Sequence, residues 1–233
     1  MQEWFESVGK KFVMAFVEGD RWKLYIKGLG VTLEIALFAA IIGLLIGTVV
    51  ALMRLSTKRD GKKTIWARIA GVYIDVIRGT PSVLQLLIMW FVIMKNCHNG
   101  ILVAVLSFGI NSGAYVSEII RAGILSIDVG QMEAGRALGL TKGMTIRHII
   151  LPQALKNVFP ALCNEFIVLI KETAIVGYVG LMDIQKAGDF IKSATFLAFM
   201  PLVGTAIIYY VLIKILNLFL KRIEFKLRQS DLR

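Results

Sequence analysis

The stretch QMEAGRALGLTKGMTIRHIILPQAL, residues 131–155, interrupts a chain that is otherwise built from apolar runs. The whole sequence has 233 residues, 57% of them hydrophobic, and a mean hydropathy of +0.71, well beyond what a soluble domain of this length carries. Uncharged apolar runs cover 35–53, 79–94, 100–117 and 193–213, each at or near the roughly 17–25 residues that cross hydrocarbon as a helix. The second run is short and has to borrow length from 66–78. Residues 159–182 are apolar on average but carry Glu165, Lys171 and Glu172. The expectation is an all-α integral membrane protein with about five transmembrane helices.

The first residues, MQEWFESVGKK, put acids where a cleavable signal needs positive charge, so the mature chain is expected to start here. Trp4, Phe5, Val8, Phe12, Val13 and Phe16 recur at helical spacing, the pattern of an amphipathic helix in the interface or packed on the protein. The expected organisation is an external or interfacial segment over 1–27, a transmembrane domain over 28–220 with a loop at 125–153, and a basic tail over 221–233.

A formal charge of +11 raises nucleic acid as a partner, but its distribution points elsewhere. Arg54, Lys58, Arg59, Lys62, Lys63 and Arg68 crowd the first loop, and Lys221, Arg222, Lys226, Arg228 and Arg233 crowd the tail. The positive-inside rule then puts the first loop, the 125–153 loop and the C-terminus in the cytoplasm, with membrane lipid around the spans. An odd number of spans leaves the N-terminus outside. Lys10, Lys11, Arg21, Lys23 and Lys27 pull the other way, offset by Glu3, Glu6, Glu18 and Asp20.

The opening stretch is thus a long cytoplasmic loop with helical pattern. Ala134, Ala137 and Leu138 share a stripe before Gly139 ends the helix. Thr141 caps a second short helix through Arg147, with Ile146, Ile149 and Ile150 as its apolar side, and Pro152 suits the first turn of the next. Physics alone allows two readings: an element that docks into a partner, or a helix pair resting on the membrane.

Glu133-Ala134-Gly135, Gly139 and Ile149-Ile150-Leu151-Pro152, in that spacing, resemble the EAA signature of permease subunits in ATP-binding cassette importers. The resemblance implies a coupling helix that fits a cleft on a separate ATPase, with Glu133 as a charged contact, Ala134 and Gly135 allowing close approach, and Gly139 the bend. Glycine at the third position departs from the commonest form and weakens the helix slightly. YIDVIRGTPSVLQL (73–86), GAYVSEIIRAG (113–123), WKLYIKGLGVTLEIA (22–36) and LIKETA (169–174) are similar to polar amino acid permeases. That group implies a type I importer fold with five spans, an external N-terminus, and pairing with a second permease copy or paralogue.

Charge at membrane depth costs roughly 2.5–3.5 kcal/mol on insertion scales and so needs a partner or a watery lining. Glu118 and Arg121 stand one turn apart and can pair, and Asn111, Tyr115, Glu118 and Ala122 share a face. That face either fixes helix packing or lines a path for a zwitterion. Arg78-Gly79-Thr80-Pro81 breaks the second helix, with Gln85 one turn on. Glu172, beyond a kink expected at Pro160, is the candidate contact for a substrate amine or guanidinium. Ala39, Gly43, Gly47 and Ala51 recur every four residues and predict a close helix contact within the subunit.

Cys97 and Cys163 form no disulfide framework, and Cys97-His98 lacks the further ligands of a metal site. The chain has no GxxxxGK[ST], GxSxG or HExxH pattern, and GLTKGMT at Gly139 has the wrong spacing for a phosphate loop. No cofactor is expected in this chain, ATP and Mg belonging to the partner ATPase. The sequence therefore reads as the membrane half of an importer of polar amino acids, fed by an external substrate-binding protein. An ion-coupled transporter or channel using Glu118, Arg121, Lys171 and Glu172 as a relay is the alternative.

Overall fold

The computed structural model describes residues 2–56 and 62–228. Trp4, Phe5, Lys58, Arg59, Arg228 and Arg233, named above on sequence grounds, have side chains outside the described residues. The elements are helical: α1 (Gln2–Phe12), α2 (Trp22–Leu55), α3 (Ile65–Arg78), α4 (Ser82–Ile88), α5 (Gly100–Leu125), α6 (Val129–Ala137), α7 (Lys142–Thr145), α8 (Leu151–Glu172), α9 (Ile184–Thr195) and α10 (Phe199–Arg228). Among the described residues α2, α5 and α10 are long and apolar enough to cross a membrane. The run at 79–94 does gain length from its predecessor, but not in line: α3 and the segment Ser82–Ile93 meet at 103°, one bent span if counted together.

The centre of the fold is the contact between α2 and α5, and small residues make it possible. Ala39, Gly43, Gly47 and Ala51 all face inward, as their four-residue period predicts. A Cβ on Gly43 would sit 3.0 Å from Ser112 Cβ, and one on Gly47 2.5 Å from Val116 Cγ1. The exchange is mutual, because Gly109 and Gly113 of α5 accept Ile42 and Ile46 of α2 in the same way. Contacts rise together along both helices, so α2 and α5 run parallel. α8 returns antiparallel: Gly123 of α5 faces Val158, while Ser112, earlier in α5, donates to Glu165 Oε1 at 2.9 Å.

α3 packs Ala70 and Ile74 onto Val50 of α2, its first turn capped by Thr64, which accepts from the Ala67 amide at 3.1 Å. α8 continues as one helix through Pro160, where a kink is expected. The second loop helix does not end at Arg147 either: α7 passes into a π turn, Ile146–Ile150, that leads into α8. Pro152 follows that turn, and the widened ladder accommodates a residue with no N–H to give.

At the other end of the bundle, α9 lies across the starts of α2 and α10. Asp183 is fully buried and caps α9, accepting from the amides of Lys186 at 2.9 Å and Gln185 at 3.1 Å. Burial pushes its carboxyl above the usual range, and those two amides with Tyr209 hold it back. Gly28 gives Asp183 room, since a Cβ there would lie 2.6 Å from the Asp183 carbonyl carbon. Tyr25 ties the same end together, donating to Pro201 O at 2.8 Å. α1 continues through Val13–Val17 to Phe16, which packs on Gly204 of α10.

Candidate functional site

The 125–153 loop forms a rigid corner. Asp128 caps α6 through the Gly130 amide at 2.6 Å, and Thr141 caps α7 through Met144 at 3.3 Å. Between them Gly139 has φ +83°, the left-handed turn expected of a glycine that ends a helix. Arg136 braces the turn by donating to Leu140 O at 2.8 Å. Gly135 allows close approach, but toward its own loop: a Cβ there would meet Thr145 Cγ2 at 2.5 Å and Oγ1 at 2.8 Å. Glycine at the third signature position is thus what lets α6 lie on α7.

Packing inward leaves a defined outward face. Glu133, Ala134 and Ala137 are exposed, and Leu138 at the tip is 80% exposed. Ile149 is half-buried in the π turn, with Leu151 and Pro152 exposed at the start of α8. The signature residues therefore divide between a tip and the base that joins it to α8, and the single hydrogen-bonded path of α7, π turn and α8 connects the two.

The helix break collects a second group. Gly79 and Pro81 end α3 and start α4, leaving carbonyls of the last α3 turn without helical partners. Gln85 supplies them. Its Nε2 donates to Ile77 O at 2.8 Å, Thr80 O at 3.2 Å and Thr80 Oγ1 at 2.8 Å, while Oε1 accepts from Asn111 Nδ2 of α5 at 2.9 Å. Thr80 Oγ1 in turn donates to Val76 O at 2.9 Å. The backbone irregularity is satisfied by protein groups, the condition on which a membrane tolerates it. One turn along α5, the Arg78 guanidinium lies over the Tyr115 ring, 5.2 Å from its centroid. Glu118 and Arg121 do pair, Nη2 to Oε2 at 2.7 Å and Nε to Oε1 at 3.1 Å, a two-pronged bridge.

Arg78, Thr80, Gln85, Asn111 and Tyr115 are thus brought together, and Glu118 with Arg121 continues the same face of α5. Glu172 lies at the end of α8, half-buried, with no hydrogen bond or ion pair to that group among the described residues. Sequence reasoning counted Glu165 as a charge and missed its place: it meets Ser112 on α5 beside Gly43, at the α2–α5 seam. Spacing from Ser112 gives no signal for this, because the two belong to different helices.

The model of the family of binding-protein-dependent transport system inner membrane components matches residues 43–229. The arginine transport system permease protein ArtQ of Bacillus subtilis is 45% identical over 209 residues, covering 88% of this chain and 93% of the relative. A putative glutamine transport system permease protein, GlnP of Rickettsia typhi, is 40% identical over 205 residues, covering 87% and 92%. Among solved structures, an amino acid ABC transporter crystallised with histidines superposes with a TM-score of 0.80 at 42% identity, over 88% of this chain and 94% of that one. An inward-facing methionine ABC transporter, MetNI, shares the fold with a TM-score of 0.77 at 21% identity, over 91% and 99%. With the EAA-type corner, the broken second helix and the matched span all in one chain, the protein belongs to the family of binding-protein-dependent transport system inner membrane components.

Proposed function

We propose that the chain is the permease subunit of an ATP-driven importer of polar amino acids, and that the α6–α7 corner is its coupling element. The observation that carries this is the corner's construction: an exposed Leu138 at the tip, a left-handed Gly139 behind it, and a base held by Gly135 against Thr145. A tip of that kind fits a cleft on a separate ATPase subunit, and its connection through the π turn to α8 transmits a push on the tip to a span. Two such permeases, identical or paralogous, enclose the pathway. An external substrate-binding protein delivers the ligand, and the ATPases carry ATP and Mg.

The orientation follows from charge and packing together. With α2 parallel to α5 and α8 antiparallel, counting α3–α4 as one bent span gives about five crossings. The positive-inside rule puts the α6–α7 corner in the cytoplasm and the start of α2 outside. Arg78, Tyr115 and the Glu118–Arg121 bridge offer an amino acid charges of both signs along one wall, while the relatives' names favour basic or amide side chains.

Co-purification from native cells tests the reading. Tagged wild-type chain retains an ATP-binding cassette subunit in mild detergent, and Glu133→Lys or Leu138→Asp loses it while the permease remains monodisperse. Retention of no ATPase by the wild-type chain would overturn the proposal in favour of an ion-coupled mechanism.

A further inference from the structure

We propose that the outer end of the chain holds a capture site for the zwitterionic head of an amino acid, between the 3₁₀ segment Thr173–Val179 and the polar side of α9. The inference rests on the importer reading for its side of the membrane and its substrate class. A cavity of about 340 Å³ lies there, bordered by Gly177, Tyr178, Gln185, Lys186 and Asp189. That is the small end of the roughly 300–1,000 Å³ of small-molecule clefts, a size for a single amino acid rather than a larger solute. The grooves that α2 forms with α8 and with α10 are lined mainly by aliphatic and aromatic side chains, whereas this one carries Gln185, Lys186 and Asp189 along the α9 side.

The segment DIQKAGDFIK divides α9 into two sides. Ile184, Ala187 and Ile191 are fully buried against the bundle, which turns Gln185, Lys186 and Asp189 to the cavity. The charges sit on a fixed platform, because the buried Asp183 that caps α9 is wedged against Gly28 of α2. The Lys186 stem lies across Gly177, whose Cβ position is 3.2 Å from Lys186 Cδ, so the lysine is steered along the cavity wall. Its ammonium has no hydrogen bond or ion-pair partner among the described residues, whereas Lys192 is engaged by Asp189 Oδ1 at 2.7 Å.

A cation and an anion three residues apart on a helix stand about 5–6 Å apart at their Cβ atoms. An amino acid presents a carboxylate and an ammonium on adjacent bonds, and fits across such a pair. Lys186 Nζ donates to the carboxylate, and Asp189, shared with Lys192, accepts from the ammonium, both as charge-assisted hydrogen bonds. Tyr178, 71% exposed, forms the open side of the cavity next to the side chain of the ligand. The site recognises the common head of amino acids and leaves side-chain choice to other elements.

Calorimetric titration of L-glutamine and L-arginine into the purified permease complex, without binding protein, tests this. Lys186→Ala and Asp189→Asn are expected to weaken binding of both amino acids by tenfold or more, and Lys186→Arg to restore it. Glutaminamide, which lacks the carboxylate, is expected to bind wild type and Lys186→Ala equally. Affinity for the external binding protein is measured on the same variants. Unchanged amino-acid affinity in both variants overturns the proposal, as does a loss confined to binding-protein affinity, which would make the surface a protein-docking face. Failure of the importer reading shows separately, as absence of an ATPase from the wild-type complex.

Discussion

Gln85 of α4 and Asn111 of α5 meet at 2.9 Å across the helix break, and that contact joins the irregular backbone at 77–80 to the most buried helix of the fold. Gln85 uses both ends of its amide within the protein, so it positions the break rather than presenting a free group to a ligand. Gln85→Leu leaves the Ile77 and Thr80 carbonyls and Asn111 without that partner. Of these only Asn111 is buried, the Thr80 carbonyl being open to solvent, so with one to three kcal/mol for a buried polar group left unpaired the loss of stability is about 1–3 kcal/mol. Thermal unfolding in detergent measures it, and a midpoint equal to wild type would show that water replaces the amide at no cost.

Gly135 and Thr145 make a reciprocal pair. Gly135→Ala places a methyl 2.5 Å from Thr145 Cγ2 and is expected to open the corner, reducing ATPase co-purification and uptake severalfold. Adding Thr145→Ala removes both the methyl at 2.5 Å and the hydroxyl at 2.8 Å and is expected to restore much of both. The double variant is the informative measurement, since alanine raises helix propensity at 135, and a loss that is rescued at position 145 is steric.

The α2–α5 seam is intolerant of bulk. Gly47→Leu drives a side chain into Val116, an overpacking that costs about 1–3 kcal/mol or more where no neighbour yields. Fluorescence-detected size exclusion is expected to show aggregated protein for Gly47→Leu and a normal peak for Leu45→Ala, whose side chain points outward at 65% exposure.

For Glu118 and Arg121, partly exposed at 23% and 34% of their side chains, the bridge is worth about 1 kcal/mol or less. Exchanging the two residues is expected to preserve stability within that margin but to reduce uptake, because the field along the α5 wall is reversed. Uptake equal to wild type after the exchange would confine the pair to a packing role.

Much of this architecture is legible in residue order. The four-residue period of small residues in α2 predicts its seam because close backbone approach has one local signature, the absence of side chain. Pro81 with Gly79 predicts the break, and the three-residue spacing of Glu118 and Arg121 predicts their bridge, each within one or two turns. What spacing does not carry is which helix lies opposite. The roles of Gln85 toward Asn111, Glu165 toward Ser112 and Gly135 toward Thr145 depend on tertiary neighbours. The π turn at Ile146–Ile150 is likewise hidden, since its composition suits an α-helix and its one local signal, Pro152, lies beyond it. Glu172 is the converse case: an intramembrane carboxylate draws attention by cost alone, and it has no hydrogen bond or ion pair to the α4–α5 group among the described residues.

ATP-driven uptake of labelled arginine or glutamine into proteoliposomes, using the permease reconstituted with its co-purifying ATPase and binding protein, tests the central claim most directly. The coupling account predicts accumulation that requires ATP in the wild type and is lost in Leu138→Asp, with the permease still folded in the bilayer. Uptake at the wild-type rate without ATP, or unchanged by Leu138→Asp, would contradict it.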